Sequence, residues 1–450
     1  MKRKIYNELL NWKQSDSHKV ALLIEGARRI GKSFIVEEFG RNEYDSYLLI
    51  DFNKASSQVK KLFDLYLEDL DTLFELLEQH YQVRLVPRHS LIIFDEVQDC
   101  PRARAAIKYL VADGRFDYIE TGSLVSIQRN VKNIVIPSEE RAIQMHPMDF
   151  EEFLWAMGNE TLMPYIRKQF AEKKPMREVH QQAMDYFRRY LIVGGMPQAV
   201  EQYVQTRDFE QVDRVKRDIL TIYRNDIRKY AGRLAMKVMS VFDEIPAQLR
   251  KNERRFCLAD LNKSARMRDY ENAFMWLSEA KIVECAYNTV APNIGLRLNM
   301  DRTTLKCYMA DTGLLLSMAF DEKGIIDEQV YKKLLLDKLE VNMGMLMENM
   351  VAQMLVAEGN QLYFYSKTDR NDSTNTMEID FLLRKSQITN RHNIIPIEVK
   401  SSNGYTLHSL RKCVNKFGEY VTDPTVLATA DMGKADDRIR TLPLYMTSCL

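Results

Sequence analysis

Residues 26–33 form a glycine-rich loop of the kind that binds phosphate, Gly-Ala-Arg-Arg-Ile-Gly-Lys-Ser. An apolar run at 19–25 predicts a buried strand before the loop, and 34–39 predicts the first turns of a helix after it. Backbone N–H groups of such a loop and the N-terminus of its helix converge on phosphate groups. We therefore expect ATP to be bound by Gly26, Ala27, Arg28, Arg29, Ile30, Gly31, Lys32, Ser33 and Phe34.

Two residues of this loop have chemical roles of their own. The Lys32 ammonium is expected to neutralise charge on the β- and γ-phosphates and to act in catalysis, and the Ser33 hydroxyl to ligate Mg²⁺. An acidic pair, Asp95 and Glu96, follows a second apolar strand at 91–94. Asp95 is predicted to bind Mg²⁺ and Glu96 to act as the base that activates water. Without the upstream loop, the pair would instead be interpreted as solvated residues after a strand.

A third strand is predicted at 116–120, and polar residues follow it. Thr121 and Ser123 either contact the γ-phosphate or belong to a plain turn. This layout is typical of AAA+ ATPases, and the Asn-Lys-x-Asp motif that reads guanine does not occur in the sequence. An arginine that reaches the γ-phosphate of a neighbouring copy would be Arg129 or Arg141, or else both are surface arginines.

A second group of residues that could perform chemistry lies near the C-terminus. The predicted order is a helix ending at 358, strands at 361–366, 378–384 and 394–400, and a helix from about 407, an order that resembles the restriction-endonuclease-like PD-(D/E)xK fold. Such nucleases need acidic Mg²⁺ ligands and a lysine that stabilises charge. Glu348, Asp380 and Glu398 are the predicted ligands, with Glu398 and Lys400 catalytic. Alternatively, the segment is an inert docking module.

The segment between the two groups is helical in pattern. Residues 151–235 predict a helical lid, interrupted at Gly194-Gly195-Met196-Pro197. Residues 236–300 predict a winged helix-turn-helix. This segment contacts either DNA or protein. Its leading edge is basic, with Arg250, Lys251, Arg254, Arg255, Lys263, Arg266 and Arg268.

Length and composition place limits on these predictions. The chain has 450 residues, 46% hydrophobic and 28% charged, which predicts a folded protein of several domains. We expect an α/β architecture with an AAA+ P-loop core at 1–150, the lid, the winged segment, and a nuclease-like domain at 301–450. The net charge of +1 neither supports nor excludes DNA as a partner. The six cysteines, which lack metal-ligand spacing, and the absence of a long apolar run predict a cytoplasmic protein that does not enter the membrane.

Five strings together resemble a family of prokaryotic AAA+ proteins. They are GARRIGKS, IIFDEVQD, ERAIQMHPMDFEEFL, YLIVGGMPQAV and YMADTGLL, and the likeness covers about residues 5–402. In that family the ATPase module is fused to a C-terminal domain of unknown function. The resemblance implies that Gly26, Gly31, Lys32 and Ser33 form the nucleotide loop, that Asp95 and Glu96 form the acidic pair, and that Arg141 is the arginine preceding the Pro-x-x-Phe segment.

The sequence thus leaves two hypotheses open. In the first, Mg²⁺-dependent ATP hydrolysis is coupled to a C-terminal half that binds or cleaves DNA. In the second, the chain is a nucleotide-dependent switch or scaffold whose C-terminal domains bind proteins and cleave nothing. A homo-oligomer is compatible with either hypothesis.

Overall fold

The computed structural model describes residues 1–123, 138–250, 255–293, 295–320, 328–335, 343–368, 376–385, 391–401 and 404–450. These residues form two compact units. The first unit comprises Met1–His146 together with Glu279–Lys281, and the second comprises Pro147–Ser278 and Ile282–Leu450.

The first unit is built on a parallel sheet of five strands, in the order β2-β3-β4-β1-β5. The strands are β1 Ala21–Glu25, β2 Ser46–Asp51, β3 Ser90–Asp95, β4 Asp117–Gly122 and β5 Glu140–Gln144. The helices are α1 Ile5–Ser15, α2 Lys32–Glu43, α3 Ser57–Leu65, α4 Leu70–Tyr81 and α5 Pro101–Asp113. This is the α/β arrangement with a parallel sheet expected of a P-loop core.

The central strands of this sheet are buried along their length. Every residue of β3 and β4 is buried, as parallel strands covered by helices on both faces require. Phe52, Phe63 and Phe94 form an aromatic cluster at one face, with ring centroids 5.5–5.6 Å apart. A core of this kind holds the carboxyl ends of β1, β3 and β4 in a rigid frame.

The second unit begins with helices. They are α6 Phe150–Ala156, α7 Leu162–Glu172, α8 Glu178–Val193, α9 Pro197–Thr206, α10 Phe209–Tyr230, α11 Ala235–Arg250 and α12 Met267–Glu279, the last of which ends in the first unit. The predicted helical pattern is present, and the Gly194–Pro197 break separates α8 from α9. A capping box formed by Asp149 and Glu152 starts α6.

Two further sheets complete the second unit. One has the order β7-β6-β8-β9, and the other the order β10-β11-β12-β14-β13. Their strands are β6 Val283–Thr289, β7 Met300–Met309, β8 Tyr363–Lys367, β9 Met377–Ile379, β10 Phe381–Arg384, β11 Ile394–Val399, β12 Thr425–Ala428, β13 Gly433–Lys434 and β14 Arg440–Pro443. The remaining helices are α13 Thr312–Ala319, α14 Glu328–Leu335, α15 Met343–Ala357 and α16 His408–Phe417.

These sheets differ from the expected layout in two places. The predicted strand at 378–384 is divided at Asp380, because β9 pairs with β8 and β10 pairs with β11 in the other sheet. The domain boundary expected at 300/301 falls at the start of β7, whose partner β6 also pairs with β8. The end of the winged segment and the start of the nuclease-like segment therefore share one sheet.

Among the residues that the structure describes, no helix has both the length and the apolar character needed to cross a membrane.

Candidate functional site

The glycine-rich loop joins β1 to α2 in the first unit. A Cβ atom on Gly26 would lie 2.3 Å from the carbonyl oxygen of Met145 and 2.5 Å from the side chain of Ile30. Gly31, at the N-cap of α2, has a φ of 91°, a conformation that favours glycine. Both glycines of the motif are thus required by backbone geometry, and Gly31 has no side chain with which to cap the N-terminus of α2. The first N–H groups of this helix are available to an anion.

Lys32 lies inside this loop rather than on its surface. Its ammonium donates to the carbonyl oxygens of Gly26 and Ala27, each at 2.9 Å. Burial lowers the pKa of Lys32, and the charges of Glu96 and Asp95 oppose that effect. A phosphate placed in the loop would give this desolvated ammonium an anionic partner in place of carbonyl dipoles.

The end of β3 brings the predicted magnesium ligands together. The Ser33 hydroxyl donates to Asp95 Oδ1 at 2.8 Å, and the Thr121 hydroxyl donates to the same oxygen. Asp95 is 6% exposed. The sheet order explains the meeting, because β3, β4 and β1 are adjacent and parallel, so their carboxyl ends lie at one edge. A hydroxyl and a carboxylate oxygen are ligands that Mg²⁺ prefers, so these residues fit the ion.

Glu96 follows Asp95 in a left-handed backbone conformation, with a φ of 52°. Its backbone N–H lies 3.4 Å from the Thr121 hydroxyl oxygen. The carboxylate accepts a hydrogen bond from the side chain of Gln98, which is 5% exposed. Gln98 therefore fixes the orientation of the predicted base, a role the sequence did not indicate although Gln98 belongs to the string IIFDEVQD.

Arg3 was also missed. Its guanidinium donates to the carbonyl oxygen of Ile30 at 2.8 Å and to that of His146 at 2.6 Å. The side chain is 7% exposed and ties the phosphate loop to the segment after β5. The only available signal was an arginine in an amphipathic N-terminal segment, and that pattern is common on protein surfaces.

The structure does not bring every predicted residue into this cluster. Arg141 lies on β5, and its guanidinium pairs with Asp16 at 2.9 Å. Phe34 is 59% exposed. Ser123 follows β4 and is partly buried. Arg129 lies outside the described residues.

In the second unit, Glu348, Glu378 and Asp380 line a cavity of about 310 Å³, and Lys400 also lines it, whereas Glu398 does not. Pairing of Phe381 with Ile397 places Asp380 near Glu398, although Asp380 itself lies between β9 and β10. Asp380 Oδ2 accepts a hydrogen bond from the backbone N–H of Val399 at 2.8 Å. Burial and the charge of Glu348 raise the pKa of Asp380 to about 7. The pKa of Glu398 is also raised, because burial outweighs the effect of Lys400.

A residue that the sequence did not indicate lies in the wall of this cavity. Lys306, on β7, has its Nζ 2.9 Å from Glu348 Oε1, 3.0 Å from Glu378 Oε1 and 3.9 Å from Asp380 Oδ1. Burial alone lowers the pKa of Lys306, but the three carboxylates raise it well above its ordinary value. The available signals were alternations: Lys306 and Tyr308 are two positions apart, as are Glu378 and Asp380, and residues two apart in an extended segment lie on one face.

The predicted nuclease ligands do not fit a divalent ion as they stand here. Glu348 already accepts hydrogen bonds from Lys306 and from Tyr308, the latter at 2.6 Å. Glu398 pairs with Lys400 at 2.9 Å. Within the described ranges, no group of three His, Cys, Asp or Glu side chains is arranged to hold a metal. The nuclease interpretation therefore stays a prediction.

Comparison with known families agrees with the geometry of the first site. Residues 18–154 match the AAA domain family, a span that includes the phosphate loop, the acidic pair and Thr121. This segment is an AAA-type P-loop ATPase domain. Residues 184–324 match a domain of unknown function, DUF8612, and residues 343–445 match another, DUF4143. The comparison with curated proteins finds no match.

Several solved structures are similar to this chain at low identity, and the TM-scores of the three that follow are all below 0.3. PCH-2 of C. elegans is 14% identical with a TM-score of 0.19, covering 34% of this chain and 42% of that one. A STAND signal transduction ATPase with a tetratricopeptide repeat sensor, from Pyrococcus horikoshii, is 12% identical with a TM-score of 0.28, covering 80% of this chain and 49% of that one. AMPPCP-bound DnaA from Aquifex aeolicus is 10% identical with a TM-score of 0.25, covering 62% of this chain and 90% of that one. The chain spans less than half the length of the first two.

Outside the AAA domain, two of the strings that carried the family resemblance meet in a structural junction. Asp311 accepts hydrogen bonds from the backbone N–H groups of Gly195 and Leu314, at 2.5 and 2.8 Å. It therefore caps α13 and holds the glycine turn after α8 at the same time. Asn349, on α15, donates to the carbonyl oxygen of Met309 at 3.0 Å and accepts from its N–H. YLIVGGMPQAV and YMADTGLL thus build the framework of the second unit.

The basic edge of the predicted winged segment is exposed where it is described. Lys263, Arg266 and Arg268 are exposed around the start of α12, and Arg255 is exposed before it. Lys251 and Arg254 lie outside the described residues, as does the side chain of Arg250. Exposure is what phosphate contact requires, and it is equally ordinary for surface cations.

Proposed function

We propose that the chain binds and hydrolyses ATP with Mg²⁺, and that Glu96 activates the attacking water. The observation that supports this most directly is the hydrogen-bonded cluster in which Ser33 and Thr121 share one oxygen of Asp95 beside the buried Lys32. When bound, Mg²⁺ would supply charge neutralisation between the β- and γ-phosphates.

The residues of the chain have separable tasks in this proposal. The phosphate loop and the N-terminus of α2 bind the phosphates through N–H groups, and Lys32 adds a positive charge where water is excluded. Ser33 and Asp95 would hold the metal. Glu96 would accept the proton of the attacking water, with Gln98 orienting its carboxylate. Thr121 couples the end of β4 to Asp95, as expected of a residue that senses the γ-phosphate.

Two substitutions test this assignment. Lys32→Ala should lose ATP binding, because the phosphates then lack a cation in a desolvated loop. Glu96→Gln should bind ATP as the parent does while turnover falls by about 10²-fold or more, because the base acts only on the water. Binding is measured with a fluorescent ATP analogue, and turnover by phosphate release. Lys61→Ala, at an exposed lysine of α3, serves as the matched control.

The outcome that contradicts the proposal is specific. If Lys32→Ala binds ATP normally, the loop is not the nucleotide site. If Glu96→Gln turns over normally, another residue is the base.

For the C-terminal half, the position of Lys306 favours the second hypothesis, a nucleotide-dependent switch or scaffold that cleaves nothing. The acids that a nuclease would use for metal are already paired with cations of the chain. Measuring plasmid cleavage together with ATP turnover separates the two hypotheses. Cleavage by the wild type that is lost in the double variant Asp380→Ala, Lys400→Ala would restore the nuclease interpretation. DNA contact through Lys263, Arg266 and Arg268, a homo-oligomer, and a trans-acting Arg141 stay predictions.

A further inference from the structure

Lys306 and three carboxylates form a cluster inside the cavity of the second unit. The acids come from α15 (Glu348), β9 (Glu378) and the bend after β9 (Asp380), so folding rather than sequence proximity assembles them. The Lys306 side chain is 7% exposed, and its ammonium lies within 3.0 Å of two of the acids. A lysine therefore occupies the point where oxygen ligands from several elements converge, which in a metal site is the position of the ion.

The lone pairs of these acids are also committed to the chain itself. Glu348 Oε1 accepts from both Lys306 and the Tyr308 hydroxyl, at 2.9 and 2.6 Å. Asp380 Oδ2 accepts from the N–H of Val399. The arrangement satisfies carboxylates that would otherwise be buried together without compensation.

A divalent ion and this ammonium exclude each other. Mg²⁺ binds carboxylate oxygens at about 2.0–2.1 Å, so an ion on Glu348 and Asp380 would lie within a few ångströms of Lys306. Two cations at that separation in a partly desolvated cavity repel strongly. Without the ammonium, the same oxygens would repel one another and attract a divalent ion.

We infer that Lys306 is a built-in replacement for a divalent cation: the cavity is balanced without Mg²⁺ or Mn²⁺, and removal of the ammonium turns Glu348, Glu378 and Asp380 into a divalent-cation site. The inference concerns the second unit alone and does not rest on ATP hydrolysis. It assigns to the cavity a role in which phosphodiester cleavage through a bound metal is blocked by the chain's own side chain.

The test measures Mn²⁺ binding to the full chain in the absence of nucleotide. Electron paramagnetic resonance reports the concentration of free Mn²⁺, and the bound fraction is the difference from the total. Four proteins are compared: wild type, Asp380→Asn, Lys306→Met, and Lys306→Met with Asp380→Asn. Lys306→Met should gain one bound Mn²⁺ per chain relative to wild type, and the added Asp380→Asn should abolish that gain. Wild type and Asp380→Asn should bind equally, because any Mn²⁺ at Ser33 and Asp95 is common to both. Lys168→Met, at an exposed lysine of α7, should change nothing.

Two results would overturn the inference. One is Mn²⁺ binding to wild type that Asp380→Asn abolishes, which would show that the ion displaces Lys306. The other is a folded Lys306→Met that gains no ion. If Lys306→Met folds poorly, the comparison of wild type with Asp380→Asn still shows whether an ion displaces Lys306. Whether Lys306→Met gains an ion is then decided by its melting temperature, which should rise on adding Mn²⁺ while that of wild type does not.

Discussion

Three buried lysines show how neighbours decide the chemistry of one residue type. Burial lowers the pKa of Lys32 and of Lys216, whereas three carboxylates raise that of Lys306 against the same burial. Lys32 is paired with carbonyl oxygens, and an anion would be a stronger partner for it. Lys306 is already paired with carboxylates of the chain, so an added anion would not be a stronger partner for it. Identical side chains are thus poised for phosphate in one unit and for internal charge balance in the other.

Lys216 gives this scale a pH prediction. Its Nζ donates to the carbonyl oxygen of Ile192 at 3.0 Å, and burial lowers its pKa from 10.5 to about 8. Between these values the unfolded chain binds more protons than the folded protein, so folding stability rises with pH across that window. Below about pH 8 both states keep the proton, so the destabilising effect of burying this charge is at its full size and no longer changes with pH. The free energy of unfolding of wild type minus that of Lys216→Met should therefore increase by about 2 kcal/mol from pH 8 to 10.5.

Urea denaturation at several pH values measures this difference. Lys168→Met, which removes an exposed lysine, should show no such trend. A flat difference for Lys216→Met would mean that the lysine keeps its proton in the folded state.

At the scale of elements, the turn between α8 and α9 shows why a motif that takes no part in chemistry can still require particular residues. The carbonyl oxygen of Gly195 accepts from the N–H of Met148 at 2.7 Å, and its own N–H donates to Asp311. Gly194 has a φ of 82°, and a Cβ there would lie 2.4 Å from Asp311 Oδ1. The backbone of Met148 and the capping side chain of Asp311 both approach this turn closely, so neither glycine can be replaced by a residue with a side chain.

Gly195→Ala should therefore destabilise the second unit. The new Cβ would lie 2.1 Å from the carbonyl oxygen of Met148, which forces the backbone apart. We expect a loss of about 1–3 kcal/mol or more in the free energy of unfolding, the cost of overpacking at a rigid site. Gly404→Ala is the matched control, because no atom of the described residues, apart from those of its neighbours in the chain, lies within 4 Å of the Cβ position there. Equal denaturation midpoints for the two variants would contradict the observed contact.

At the scale of the whole molecule, the second unit joins segments that are far apart in sequence. The start of α8 is bound to the C-terminal region, since Asp431 accepts from the N–H groups of Met176 and Arg177 at 2.9 and 2.8 Å. His180 hydrogen-bonds to the Tyr445 hydroxyl at 2.8 Å. With β6 paired to β8, these contacts join the predicted lid, winged segment and nuclease-like segment within one compact unit.

Truncation after residue 300 tests that statement. The chain 1–300 lacks β8 and all of β7 except Met300, so β6 loses nearly all of its pairing in the sheet. Hydrogen exchange followed by mass spectrometry should show the amides of 283–289 protected in the full chain and exchanging freely in the truncated one. Protection of 21–43, in the first unit, serves as the internal control and should persist. Retained protection of β6 in the truncated chain would show that the winged segment folds independently.

The sequence by itself determined the features of this protein that depend on neighbouring residues. A buried strand, two glycines at required backbone positions, a lysine, a hydroxyl and a helix follow one another within about twenty residues, so the phosphate loop could be predicted in full. The acidic pair was predictable for the same reason, because an apolar run ends directly at Asp95. The strands predicted at 19–25, 91–94, 116–120, 361–366 and 394–400 are present, with boundaries shifted by a few residues, whereas β2 and β12–β14 were not predicted.

Tertiary structure alone decided what surrounds each buried charge. Lys306 lies 42 positions from Glu348 in sequence, and Arg3 lies 143 positions from His146, so no local pattern could pair them. The division of the strand at Asp380, with its halves in different sheets, likewise depends on the partners β8 and β11 rather than on the residues of 378–384. Residue types specify which charges exist, whereas long-range packing specifies which of them meet, and that difference separates an acidic cluster awaiting a metal from one that the chain has already neutralised.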